Sequence, residues 1–308
     1  MDFATVTLFI KQVMSTFMIL LTMLVPSFGA AADTYTAKNP DDLVTSFVAV
    51  SDIHVETNNP EAYQNLADVL KGIKAGENVS TVVYTGDNVM NGQVLEDFFF
   101  YSAIRGVMPA KNNFILAGNH DFGNGEGDYE ELRSKYLTNN AVYMWNKLDK
   151  EYFYRVVDGV YFVALCSEDP TTGDYTMSRA QYDWLEGVLK EAGENDAPVF
   201  VFAHFPIRYL NPSKGSEVTA QELGALLASY GVELYIHGHI HNDIDGRDNF
   251  YNNYGVDCIN LCRVTEITEY EAGDGIVVEV YDDEFVVRTR NFITGEWVEE
   301  LEFTYPVG

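Results

Sequence analysis

Six histidines occur in the 308-residue chain: His54, His120, His204, His237, His239 and His241. Each lies at, or a few residues beyond, the carboxyl end of an apolar run that reads as a strand. Acids and an amide accompany them: Asp52 before His54, Asp87 after Gly86, and Asn119 before His120. Imidazole nitrogens and carboxylate or amide oxygens are donors suited to divalent transition metals. The carboxyl edge of an open α/β sheet is where ligands bind. A lone Asp-x-His or Gly-Asp is common by chance. Gly118-Asn119-His120-Asp121 is more specific. Gly238-His239-Ile240-His241 is more specific again, because strand alternation puts His239 and His241 on the same side. Five such motifs in order use every histidine except His237. The joint pattern points to metal chemistry through Asp52, His54, Asp87, Asn119, His204, His239 and His241. His237 reads as an inward-facing support, with substrate contact as its alternative.

These side chains need an alternating scaffold to bring them together. Residues 46–50, 79–85, 113–117, 199–203 and 233–236 read as strands that end at the motifs. Pro60 opens a helix whose apolar face carries Ala62, Leu66, Val69, Leu70 and Ile73. Residues 94–104 read as helical. Residues 123–150 read as a loop with one helix, and 123–131 as either a rim over the site or a solvated turn. Ser178 with Gln181, and Thr219 with Glu222, are capping boxes that start two further helices. Residues 152–157 and 160–166 form a hairpin turned at Asp158-Gly159. Residues 251–254 read as an ordinary loop that could line the pocket. Residues 263–270, 275–281, 284–292 and 297–305 read as strands. The expected architecture is an α/β core with a second, largely antiparallel sheet.

Composition limits the partners. Nineteen Lys plus Arg face 47 Asp plus Glu, a formal net charge of −28. A surface that acidic repels nucleic acid and anionic lipid, so no nucleic-acid polymer is expected as a partner. Hydrophobic residues make up 47 % of the chain, enough for a sizeable core. Residues 1–32 hold a mostly apolar run broken at Pro26 and followed by Gly29-Ala30-Ala31-Ala32, the layout of a cleaved secretory signal peptide. The expected location is secreted or cell-envelope, without stable membrane association after cleavage. An uncleaved N-terminal anchor is the alternative. Cys166, Cys258 and Cys262 cannot make a disulfide framework and read as buried thiols, with a Cys166 bridge left open.

The ordered set Asp52-Ile53-His54, Gly86-Asp87-Asn88, Gly118-Asn119-His120-Asp121, Ala203-His204 and Gly238-His239-Ile240-His241 resembles that of the calcineurin-like metallophosphoesterases. The resemblance implies a four-layer α/β/β/α sandwich, with residues 33–308 as the phosphoesterase domain. It also implies a centre of two divalent transition-metal ions drawn from Mn, Fe, Zn, Ni or Co. By position, Asp52, His54 and His241 would bind one ion, Asn119, His204 and His239 the other, and Asp87 both. His120 would face substrate as general acid, with Asp121 adjacent as a further catalytic candidate and Asn88 as a substrate contact. The implied activity is hydrolysis of a small phosphate mono- or diester by a metal-bridging hydroxide. A non-catalytic, metal-dependent binding role on the same fold is the alternative. Purple acid phosphatases have a Tyr three residues after the bridging Asp, where this chain has Met90. Protein serine/threonine phosphatases have Asp-Arg-Gly after it, where this chain has Asn88-Val89-Met90-Asn91-Gly92. The remaining resemblance is to the bacterial phosphodiesterase and phosphomonoesterase branch.

Overall fold

The computed structural model describes residues 34–168, 175–242, 249–265 and 272–307. In chain order the strands are β1 (Thr45–Val50), β2 (Thr81–Tyr84), β3 (Asn112–Ile115), β4 (Phe153–Val157), β5 (Val160–Ala164) and β6 (Val199–Phe202). They continue with β7 (Leu234–His237), β8 (Phe250–Asn253), β9 (Val256–Asn260), β10 (Asp274–Val280), β11 (Glu284–Asn291) and β12 (Trp297–Pro306). The helices are α1 (Pro60–Lys74), α2 (Val94–Val107), α3 (Tyr129–Tyr143), α4 (Arg179–Glu194) and α5 (Ala220–Ser229).

One sheet runs β12-β11-β10-β1-β2-β3, the other β4-β5-β6-β7-β9-β8. β1, β2 and β3 are parallel neighbours, as are β5, β6, β7 and β9, so both sheets gather carboxyl ends on one edge. The inner faces meet through aromatic rings. Phe47 of β1 lies 5.1, 5.0 and 5.7 Å, centroid to centroid, from Phe162, Phe200 and Phe202 of the second sheet. Leu66, Leu70 and Ile73 of α1 and Phe100 and Ile104 of α2 belong to the same core cluster. Leu185 and Leu189 of α4 and Leu223 and Leu227 of α5 pack with Val163, Val201 and Tyr235 in a second cluster. The order is therefore helix, sheet, sheet, helix, as the resemblance implies.

The C-terminal strands correct one expectation. β10 joins β1 antiparallel, and β11 and β12 extend the same sheet rather than building a separate one. The reason is burial: every residue of β10 after Asp274 is buried, so it needs cover on both faces and a partner on each edge. Residues 251–253, expected as loop, lie in β8, which pairs with β9 around Tyr254-Gly255, both at positive φ (55° and 86°). Of the strand expected over 263–270, Arg263 makes an isolated bridge with Ser51, and 266–270 fall outside the described residues. All three cysteines are buried, and among the described residues none forms a disulfide. The signal segment at 1–32 also lies outside the described residues. Among those described, no helix is long and apolar enough to cross a membrane.

Candidate metal centre

Five strand ends deliver the donors. Asp52 and His54 follow β1, Asp87 follows β2, Asn119 follows β3, His204 follows β6, and His239 and His241 follow β7. The chain must swing each side chain toward the gap between the sheets within a residue or two. Asp52, His54, Asp87, His239 and His241 do so with left-handed backbone (φ 52°, 50°, 49°, 73° and 55°). Short polar residues and His tolerate that region best. Such a cluster of left-handed ligand residues persists only when surrounding contacts hold it. Here the Asp52 and His54 amides donate to the Gly86 and Asp87 carbonyls at 3.1 and 2.9 Å. The His239 amide donates to Asp52 Oδ2 at 3.0 Å, and the His120 amide to Asp87 Oδ1 at 2.8 Å. Each carboxylate is thus pinned through one oxygen by the backbone of another motif, leaving the other oxygen free to face inward.

The inward atoms form two groups that share a member. Ligand atoms of Asp52, His54, Asp87 and His241 lie within 4.8 Å of one another, as do those of Asp87, His204 and His239. His241 Nε2 is 2.9 Å from Asp52 Oδ1 and 3.1 Å from His54 Nε2. His204 Nε2 is 3.1 Å from Asp87 Oδ2 and 3.3 Å from His239 Nδ1. Asn119 Nδ2 donates to Asn124 Oδ1 at 2.9 Å, while Asn119 Oδ1 is buried with no partner. A buried, unpaired amide oxygen and ring nitrogens packed against each other are what a bound cation would satisfy. The residues therefore fit a pair of ions, with Asp87 common to both. Glycine makes the approach possible. A Cβ on Gly118 would come within 2.2 Å of Asp87 Oδ1, and one on Gly238 within 2.2 Å of Asp52 Oδ2.

Burial and charge oppose each other at these groups. Burial pushes the Asp52 carboxyl up, but hydrogen bonds from His241 and His54 and the charge on His204 hold it well below the usual range. At Asp87, burial is likewise overcome, chiefly by His204, and the carboxyl is lowered to about 2. Burial disfavours charge on His204, yet the Asp87 carboxylate raises it to about 9. His239 is lowered to about 4, first by burial and then by His204, and burial also lowers His54. The carboxylates are thus ionised and the site is built to hold positive charge.

A model of the family described as calcineurin-like phosphoesterase matches residues 45–243. The chain belongs to this family. Over 178 residues it is 29 % identical to tartrate-resistant acid phosphatase type 5 of Rattus norvegicus, covering 53 % of this chain and 51 % of that one. Over 215 residues it is 23 % identical to the cyclic GMP-AMP phosphodiesterase SMPDL3A of Bos taurus, covering 59 % and 47 %. The chain thus spans about half the length of these curated relatives. Among solved structures, a purple acid phosphatase from yellow lupin (Lupinus luteus) superposes with a TM-score of 0.57 at 15 % identity, covering 84 % of this chain and 53 % of that one. GAP50, an anchor in the inner membrane complex of Plasmodium, gives 0.56 at 18 %, covering 86 % and 88 %. The sequence resemblance had turned away from the acid-phosphatase branch on Met90. The mammalian acid phosphatases match nonetheless over about half of each chain.

Other residues around the centre hold the donors in place, and several escaped the sequence. The Thr85 carbonyl accepts from His204 Nδ1 at 3.2 Å, which turns His204 Nε2 inward as the ligand atom. The Met90 carbonyl accepts from His120 Nδ1 at 2.6 Å. Asn124 fixes the Asn119 amide, so the start of the 123–131 loop braces a donor. Backbone carbonyls carry no sequence signal, and Asn124 is visible only as a polar loop residue. His237 is buried, with Nδ1 donating to the Gly238 carbonyl at 2.9 Å and Nε2 accepting from Tyr251 Oη at 2.6 Å. It is the inward-facing support expected.

Two expectations are corrected. Asp121 does not meet the His120 ring. It is buried and accepts from the amides of Gly118, Asn88 and Val89 at 2.8, 3.1 and 3.3 Å. Asn88 is also buried, and its Nδ2 donates to the Leu116 carbonyl at 2.7 Å and to Asp121 Oδ2 at 3.3 Å. Both tie the ends of β2 and β3 together instead of facing substrate. Three amides converging on one carboxylate leave it no freedom to turn outward.

Proposed function

We propose that this chain is an exported, two-metal hydrolase of small phosphate esters. The observation that carries the reading is Asp87, one buried carboxylate shared by two donor groups. Asp52, His54 and His241 would hold one ion, and Asn119, His204 and His239 the other. When bound, the ions supply Lewis acidity and an acidified water at neutral pH. The chain's own residues do the rest. Asp52 and Asp87 stay ionised, so the donor set carries −2 and accepts two divalent cations with net positive charge to spare for a phosphoryl group. His120 is a fifth exposed at its side chain, with Nε2 3.9 Å from Asp87 Oδ2. Its Nδ1–H is committed to Met90, so Nε2 is the ring nitrogen left to face a leaving oxygen, and it hands over a proton when the ring is the imidazolium, with both nitrogens protonated. The imidazole-rich donor set favours Mn, Fe, Zn, Ni or Co over magnesium alone.

Turnover of p-nitrophenyl phosphate and bis-p-nitrophenyl phosphate, measured after reconstitution with each of these metals, tests the reading. Release of p-nitrophenol with at least one metal is expected. Protein that holds two ions by elemental analysis yet turns over neither ester would support the binding role instead. The export component rests on residues 1–32 alone. A processed N-terminus near residue 33 on extracytoplasmic protein supports it, and an intact N-terminus held in the membrane fraction supports the anchor.

A further inference from the structure

After β9 the chain crosses from one sheet to the other, next to the strand ends that carry Asp52 and His239. The Leu261 amide donates to the His237 carbonyl at 2.6 Å, and the Val264 amide to the Ser51 carbonyl at 3.2 Å. Arg263 forms a parallel bridge with Ser51. Arg263 is therefore fastened beside the residue that precedes Asp52, two positions after Leu261 makes its contact with β7, the strand that delivers His239. Its side chain is half-buried. Nε donates to Thr265 Oγ1 at 2.9 Å, and among the described residues no carboxylate forms an ion pair with its guanidinium. Yet the group stands within the field of the centre. Burial lowers its proton affinity, Asp52, Asp87 and Glu56 act to raise it, and its charge in turn acts on His54. A half-buried guanidinium that closes on no carboxylate among the described residues, on a residue whose backbone bridges Ser51 next to Asp52, has N–H groups left for an anion.

The charge count gives this position a consequence. Two divalent cations, the two carboxylates and a hydroxide sum to about +1. Arg263 brings the centre to about +2. A phosphate monoester is a dianion near neutral pH, and a diester is a monoanion. We propose that Arg263 is a substrate-anchoring residue that tilts this centre toward phosphate monoester dianions over diester monoanions. The inference rests on the two-metal hydrolase reading and adds its substrate class.

The test uses metal-reconstituted wild type, Arg263→Met and Arg263→Lys, each with metal content measured. In Arg263→Met, kcat/KM for p-nitrophenyl phosphate should fall about 10- to 100-fold, mostly through KM, the scale of a lost charge-assisted hydrogen bond. For bis-p-nitrophenyl phosphate the fall should stay within about 3-fold, since its single charge is met by the ions. Affinity for inorganic phosphate, read by calorimetry, should weaken in parallel with the monoester, and Arg263→Lys should recover part of both. Equal falls on the two esters, unchanged phosphate affinity, or loss of a metal ion from the variant would each overturn the anchoring role. If Arg263→Met does not fold, Arg263→Lys carries the same comparison, with a smaller monoester-selective loss expected. Wild type that holds two ions but turns over neither ester would remove the hydrolase reading, while the phosphate-affinity series would still decide whether Arg263 binds the anion.

Discussion

His120 and Asp87 touch through a backbone amide, yet their substitutions should fail in different ways. His120 reaches the centre with its ring Nε2 and has no place in either donor group. His120→Ala should keep both ions by elemental analysis and lose about 10²- to 10⁴-fold on alkyl phosphates, whose leaving oxygen needs a proton. On p-nitrophenyl phosphate the loss should be far smaller. Equal losses on good and poor leaving groups would remove the general-acid role. Asp87→Ala should lower the affinity for both ions at once, because Asp87 belongs to both groups; full retention of either in a metal titration would contradict the shared carboxylate. The seven donors were legible because each stands at the end of an apolar run and four of them are among only six histidines. Their orientation was not. Asp121 sits next to His120 in sequence, but its carboxylate turns to three backbone amides, and the ring finds the Met90 carbonyl thirty residues away. Chain adjacency says little about which side chains meet, and a carbonyl partner has no residue type to read.

Elements fix how closely the motifs approach, and glycine sets that distance at two loops. Gly118→Ala and Gly238→Ala would drive a methyl into Asp87 Oδ1 and Asp52 Oδ2 at 2.2 Å. Each should weaken metal binding at least 10-fold with only about 1 to 3 kcal/mol lost in folding stability, as for a strained insertion. Unchanged metal affinity would show that the loops can spread apart. Between α2 and α3, buried Asp97 pairs with Lys135 at 2.6 Å, and burial raises its carboxyl to about 6 despite the lysine. A folded-state value above the unfolded one makes this contribution fully present below about pH 4 and lost as pH rises through about 6. Asp97→Asn should therefore gain on wild type by about 3 kcal/mol between pH 4 and pH 7, read from denaturant midpoints. A constant difference would mean the lysine compensates fully. Element boundaries were partly legible. Thr219 and Glu222 form the expected reciprocal cap, but Gln181 turns its side chain to the Cys166 backbone instead, and the reciprocal cap of Gln93 with Glu96 went unread. Capping patterns name candidates, and tertiary contacts decide which of them cap. The placement of β10 was illegible for a related reason: its apolar run fits any covered position, and only pairing with β1 chooses among them.

At the scale of the whole molecule, two bound ions would set a positive centre inside a chain of net charge −28. The two fields differ in reach. The attraction of bound ions acts over a few ångströms within a pocket of low polarisability, where salt screens poorly. The acidic surface acts over distances beyond the Debye length, about 8 Å at physiological ionic strength, where salt screens well. An approaching phosphate ester therefore meets repulsion first and attraction last. Added sodium chloride should remove more of the repulsion than of the attraction. At fixed metal occupancy, kcat/KM should rise a few-fold between about 10 and 300 mM salt, more steeply for the dianionic monoester than for the monoanionic diester. Arg263→Met should leave that slope intact while lowering the whole curve for the monoester, because its guanidinium acts at short range beside Ser51 and Asp52. A kcat/KM that falls with salt would show that the field of the ions extends past the acidic surface, and would locate the dominant recognition step in the approach to the pocket rather than within it.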